Sequence, residues 1–127
     1  MVCEIEARGP DERFRIMPIY GVVGACDPYF AHDEPWKLRA EQALNGYVEK
    51  EVQSARAGGV TIAVTGDLNS FTDAELDRKG GPSVSREECL AKTLERLQLR
   101  DAWRDRHPNV RAYTHHTKRG AARLDAT

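Results

Sequence analysis

At Gly58-Gly59 the spacing of apolar residues changes period, and that change constrains the fold more than any other feature of the chain. Before it, Ala40, Leu44, Val48, Val52 and Ala55 recur at helical spacing, with Glu49, Lys50, Glu51 and Arg56 left to face water. The spacing predicts a helix from Trp36 to Ala57, with Pro35 suited to its first turn and the paired glycines ending it. After it, Val60 to Thr65 ("VTIAVT") is an apolar and β-branched run suited to a buried strand.

The flanking segments extend this pattern. Val2 to Ala7 and Arg13 to Tyr20 surround the turn cluster "RGPDE" and read as a β-hairpin with the more buried strand second. A loop follows, punctuated by Gly21, Gly24, Pro28 and Pro35. Ser85, with Glu88 three residues on, is a capping box for a second helix whose inner stripe is Leu90, Leu94 and Leu97. The tail carries strands over Ala112 to Thr117 and Ala122 to Ala126, joined around Gly120. The order β-β-α-β-α-β-β predicts an α/β layered domain. Its last strand runs into Thr127, which reads as a chain cut in mid-strand.

Composition excludes some functions. A net charge of −1 over 127 residues is not that of a general polyanion binder, so nucleic-acid contact needs a local basic patch. The best one is Thr117 to Gly120 ("TKRG") with Arg111 and Arg123. Cys3, Cys26 and Cys89 lack paired spacing and read as reduced thiols of an intracellular protein, nuclear or cytoplasmic. The charged N-terminus is no signal peptide, and no stretch is long enough to span a membrane.

The strand at Val60 leads into Gly66-Asp67-Leu68-Asn69. At a strand end, residues two apart point the same way, so Asp67 and Asn69 can converge while Leu68 turns into the core. The acid can orient or deprotonate water, or bind a hard cation through oxygen. The amide can donate to a phosphate oxygen. Seen alone, the same four residues also suit an ordinary turn. His115 and His116 are adjacent on a strand and point to opposite faces, so they read as solvated rather than as a shared metal site. Asp73, Glu75 and Asp77 read as a solvated acidic turn.

Several motifs then recur in one order: "IYG" at Ile19 to Gly21, Arg39 in the helix, "GDLN" at Gly66 to Asn69, "DAWR" at Asp101 to Arg104, "HP" at His107-Pro108, "YTH" at Tyr113 to His115 and "RLD" at Arg123 to Asp125. Together they resemble the endonuclease/exonuclease/phosphatase superfamily, which includes DNase-I-like, abasic-site and retrotransposon endonucleases and inositol-phosphate phosphatases. The resemblance implies a partial four-layer α/β/β/α sandwich, with residues 1–127 as its middle and C-terminal part. It implies Mg²⁺- or Mn²⁺-dependent hydrolysis of phosphodiesters in nucleic acid, DNA more than RNA. Asp67 looks like the acid that activates water or protonates the leaving group near the metal, and Asn69 like the amide that steadies the phosphoryl group, both beside the ion. Tyr20 resembles the loop tyrosine that reaches the phosphate, and Asp125 the acid that orients a catalytic histidine. Asp101, Trp103, Arg104 and Thr114 fall on motifs that read as scaffolding.

The departures have consequences of their own. Tyr20 is followed by Gly-Val-Val where the family has Pro and Asn close by. The metal-binding Glu of the family's first strands and its final Ser-Asp-His have no counterpart in the 127 residues. The resemblance therefore implies that the isolated chain turns over little or no substrate. The alternatives are a phosphomonoesterase acting on a small phosphate ester, and a noncatalytic fragment that packs against another chain segment supplying the missing sheet.

Overall fold

A computed structural model describes residues 3–6, 12–25, 34–73, 75–80, 89–118 and 120–126, with 3–6 and 126 described as backbone only. The chain is a mixed α/β protein with two small sheets. In the first sheet, β1 (Cys3–Glu6), β2 (Arg13–Tyr20), β3 (Thr61–Asp67) and β7 (Asp125–Ala126) lie in that spatial order. The second contains β4 (Arg78–Lys79), β5 (His115–Thr117) and β6 (Gly120–Ala122), with β6 central. Three helices complete it: α1 (Pro35–Ala57), α2 (Leu90–Arg96) and α3 (Ala102–Arg106).

β1 and β2 pair antiparallel, as the hairpin reading expected. β2 and β3 pair parallel, from Phe14 opposite Thr61 to Tyr20 opposite Asp67. Parallel neighbours require a crossover, and α1 supplies it. Pro35 opens α1, and the C-terminus closes in a Schellman motif. The Gly59 N–H donates to Arg56 O (3.2 Å) and the Val60 N–H to Ala55 O (2.9 Å), with Gly59 at φ 65°. This left-handed turn sends the chain straight into β3. Gln98, at φ 55°, closes α2 in the same way, with the Leu99 N–H donating to Leu94 O (3.1 Å).

One face of the first sheet meets the helices. Met17 and Val64 pack there against Val48 and Val52 of α1 and against Leu90, Leu94 and Leu97, the stripe expected of the second helix. Arg15, on the same face, donates to Glu51 (3.3 Å). Phe14 and Ile16 lie on the opposite face and are half-buried, while Pro18 is exposed. Gly46 lies exposed within α1, and a β-carbon there meets nothing within 4 Å. Gly46→Ala should therefore stabilise the chain by about 1 kcal/mol through helix propensity and a less flexible unfolded state, measured by urea denaturation.

The tail departs from its sequence reading. Ala122 to Ala126 is not one strand: β6 and β7 belong to different sheets, because the chain turns inward at Arg123. α3 and β4 occupy segments read as irregular. The proposed capping box at Ser85 and Glu88 lies outside the described residues. Cys89 is disulfide-bonded, which overturns the reading of the cysteines as all reduced; its partner's side chain lies outside those described. Among the described residues no helix is long and apolar enough to cross a membrane.

Candidate functional site

β2 and β3 end together, and their register aligns the residues singled out in the sequence. Tyr20 pairs with Asp67, and Asp67 pairs with Asp125 across the antiparallel β7. Residues directly opposite one another share a face, so these three form one row across three strands. Met17 and Val64, at odd offsets from the row, face the core, so the row lies on the face away from α1. Tyr20 is 67% exposed, Asp125 is exposed and Asp67 is half-buried.

Asn69 joins the row through the loop that follows β3. Leu68 is buried, as expected, and its N–H donates to Leu124 O (2.7 Å), tying the loop to the strand beyond. Asn69 sits at φ 48°, a left-handed conformation that asparagine tolerates better than most residues. Its backbone N–H donates to Asp67 Oδ1 (2.8 Å), and its side-chain Nδ2 donates to Gly21 O (2.8 Å). A carbonyl only accepts, so this contact fixes which end of the amide faces Gly21 and turns Oδ1 the other way. The turn reading of the tetrapeptide describes a real feature, since Asp67 makes a local turn bond while its backbone stands in the row.

Two glycines permit this close approach. A β-carbon on Gly21 would lie 1.9 Å from Leu68 O, and one on Gly66 (φ 136°) would lie 2.1 Å from Ile19 O. Gly66 admits the backbone of the neighbouring strand, since the nearest atoms belong to Ile19.

The scaffolding motifs converge behind β7 in a buried charge cluster. Asp77 is fully buried, which corrects its reading as part of a solvated turn. Arg123 grips it with two donors, Nε to Oδ1 (2.9 Å) and Nη2 to Oδ2 (3.2 Å), and Arg104 also donates to Oδ1. Asp101 caps α3 by accepting from the Arg104 N–H (2.9 Å) and accepts from Arg123 Nη2 (2.5 Å). Both guanidinium carbons lie 5.0 Å from the Trp103 ring centroid. Burial pushes the Asp77 carboxyl up, but Arg123, the Asp73 N–H and the Thr72 hydroxyl together hold it below its ordinary value. Arg123 is thus no part of a surface basic patch. Instead it positions β7: its Nη1 donates to Asp125 O (3.2 Å), while Thr114 Oγ1 accepts from the Leu124 N–H (3.1 Å).

His115 and His116 are both exposed, and Tyr113 meets His116 edge-on at 6.1 Å. Arg39 is exposed on α1. Sequence reasoning missed Glu41, which is 1% exposed. The buried residues of α1 are Glu41, Asn45, Val48, Val52 and Ala55. That spacing of four, three, four and three places an acid squarely on the core stripe, a signal present in the sequence.

The donor chemistry suits a hard cation in one limited sense. Asp67 and Asp125 stand opposite one another, and the Asn69 backbone N–H is bonded to Asp67. Mg²⁺ accepts one or two carboxylates and completes its shell with water and phosphate oxygens. Among the described residues no group of three or more His, Cys, Asp or Glu side chains converges, so the protein donors fit only such a partial shell. No protein-family model matches the chain, and no curated protein matches it.

Proposed function

We propose that the chain carries the phosphate-handling centre of a metal-dependent phosphodiester hydrolase acting on nucleic acid, on a partial sandwich of the DNase-I-like type. The observation that supports this reading is the row Tyr20, Asp67, Asp125, joined by Asn69. These residues come from three strands and a loop separated widely in sequence, and a solvated turn alone gives no reason for them to meet. An exposed phenol, two carboxylates and an oriented amide form a set able to bind a phosphate through a divalent cation and hydrogen bonds.

In this reading Mg²⁺, held by Asp67 beside Asn69, supplies charge stabilisation of the phosphoryl oxygens when bound. Asp67 orients or deprotonates a water, as a half-buried carboxylate beside a cation can. The remaining Asn69 N–H donates to a phosphoryl oxygen, its partner already fixed on Gly21. Tyr20 presents its hydroxyl from the other side of the row. Asp125 is held in place by its backbone contacts and accepts a hydrogen bond from whatever base completes the centre. Binding is the primary readout.

The test is retention of a short DNA duplex with and without Mg²⁺, together with plasmid nicking. Mg²⁺-dependent retention that weakens about tenfold or more in Asp67→Asn is the expected result. Equal retention by Asp67→Asn and the parent chain would overturn the reading. Preference for a soluble phosphate monoester over DNA would replace it with the phosphomonoesterase alternative.

A further inference from the structure

Glu41 is a buried carboxylate that the proposed chemistry does not use, and its position suggests why the helix keeps it. Oε2 accepts from the Val22 N–H (3.1 Å) and Oε1 from the Leu90 N–H (2.8 Å). The Val22 N–H belongs to the same peptide group as the Gly21 carbonyl. At the other edge of that peptide, Gly21 O accepts from Asn69 Nδ2 (2.8 Å). One planar unit is therefore held from opposite edges, by Glu41 through its N–H and by Asn69 through its carbonyl. Peptide planarity makes the two contacts interdependent, because rotating the plane to release one displaces the other.

We infer that Glu41 is a positioning residue: by holding the Gly21–Val22 peptide it fixes the orientation of the Asn69 amide beside Asp67. The same side chain also receives the first N–H of α2, so it joins the loop after β2 to the start of that helix. Ser70 reinforces this junction, since its Oγ accepts from the Ala91 N–H (3.1 Å). Loop and helix start thus meet on one buried acid, and the segment after β3 joins them through Ser70 and Asn69. Keeping a carboxyl where water is excluded is costly without such partners. Two N–H donors account for both oxygens, and a glutamine in its place would offer one oxygen and one NH₂ group to the same two donors. One contact would become donor against donor.

The assignment of Asn69 to phosphate rests on the proposed function, but the peptide clamp does not, and the experiment separates them. In the full ¹⁵N-labelled chain, Glu41→Gln should move the Asn69 side-chain amide resonances along with the Val22 and Leu90 backbone amides. Leu94→Ala, a core truncation that lowers stability without touching the peptide, should leave the Asn69 side-chain resonances in place. Should Glu41→Gln fail to fold, Glu41→Asp, which keeps the charge but shortens its reach, reports the same linkage by moving the Asn69 side-chain resonances. Unmoved Asn69 resonances in a folded Glu41→Gln or Glu41→Asp chain overturn the inference. On a short DNA duplex with Mg²⁺, Glu41→Gln should bind about tenfold more weakly, the usual effect of removing a supporting contact. Linked resonances with no binding by the parent chain would uphold the clamp and overturn the function; binding by the parent with unlinked resonances would do the reverse.

Discussion

Asp77→Asn is expected to lower the unfolding free energy by about 3–5 kcal/mol, seen as a lower urea midpoint at unchanged slope. The cluster is balanced as it stands, with Asp77 and Asp101 facing Arg104 and Arg123. Removing the Asp77 charge leaves two guanidiniums, both stacked on Trp103, with one carboxylate between them. Asp77 is fully buried and the Arg123 side chain is 5% exposed, so water cannot replace the lost partner. Asp105 pairs with Arg100 at the surface, where Arg100 is 84% exposed, and Asp105→Asn should leave the unfolding free energy within about 0.5 kcal/mol of the parent.

The same substitution should change the response to acid. The Asp77 carboxyl is held below its ordinary value of 3.8, so its stabilising contribution is present above that value and is lost as pH falls through the lowered one. Stability of the parent chain should therefore fall below about pH 3.8, and Asp77→Asn should flatten that fall. Glu41 works with the opposite sign. Burial raises its carboxyl above 4.5, and the Val22 and Leu90 N–H groups only partly offset this. Its contribution is fully present below that ordinary value and is lost as pH rises through the raised one. A steeper acid limb in Asp77→Asn than in the parent would contradict the assignment of the cluster as the acid-sensitive element.

The parts of the fold that follow from local pattern were legible in the sequence. α1 spans 35–57 against a reading of 36–57, because its period is long and its stop signal is two glycines forming a Schellman turn. Strand alternation predicts that Asp67 and Asn69 point the same way, but Asn69 lies past the end of β3 at φ 48°, and what joins the two is a turn bond from its backbone N–H to Asp67 Oδ1. The placement of Tyr20 and Asp125 in the same row depends on parallel pairing with β2 and antiparallel pairing with β7, and neither can be read from spacing. Only the motif order pointed to them. Asp77 was misread for the same kind of reason: "DAELD" looks like a solvated turn until arginines 27 and 46 residues away close on it. α3 was missed because it is a single short turn, whose Asp101 cap serves the charge cluster as much as the helix. Glu41 differs from these, since its place on the core stripe was visible and only its purpose required the structure.

Gly66→Ala should cost about 3 kcal/mol or more, among the largest effects of any single methyl group in the chain. Two penalties combine. A φ of 136° is one that residues with a β-carbon rarely adopt, and the added carbon would meet the Ile19 carbonyl oxygen at 2.1 Å. That oxygen belongs to the backbone of the neighbouring strand, so relief requires β2 and β3 to part where Tyr20 faces Asp67. Gly21→Ala should act similarly from the other side, against Leu68 O at 1.9 Å. Both substitutions should disturb the row before they disturb the helices. The Gly21 N–H, which donates to Asp67 O at 2.8 Å, should exchange faster with solvent in a folded Gly66→Ala chain, while amides within α1 keep their protection. Gly46→Ala provides the internal comparison, with its methyl group in open space. If Gly66→Ala proved as benign as Gly46→Ala, the close packing of β2 on β3 would be wrong, and with it the alignment of Tyr20 with Asp67.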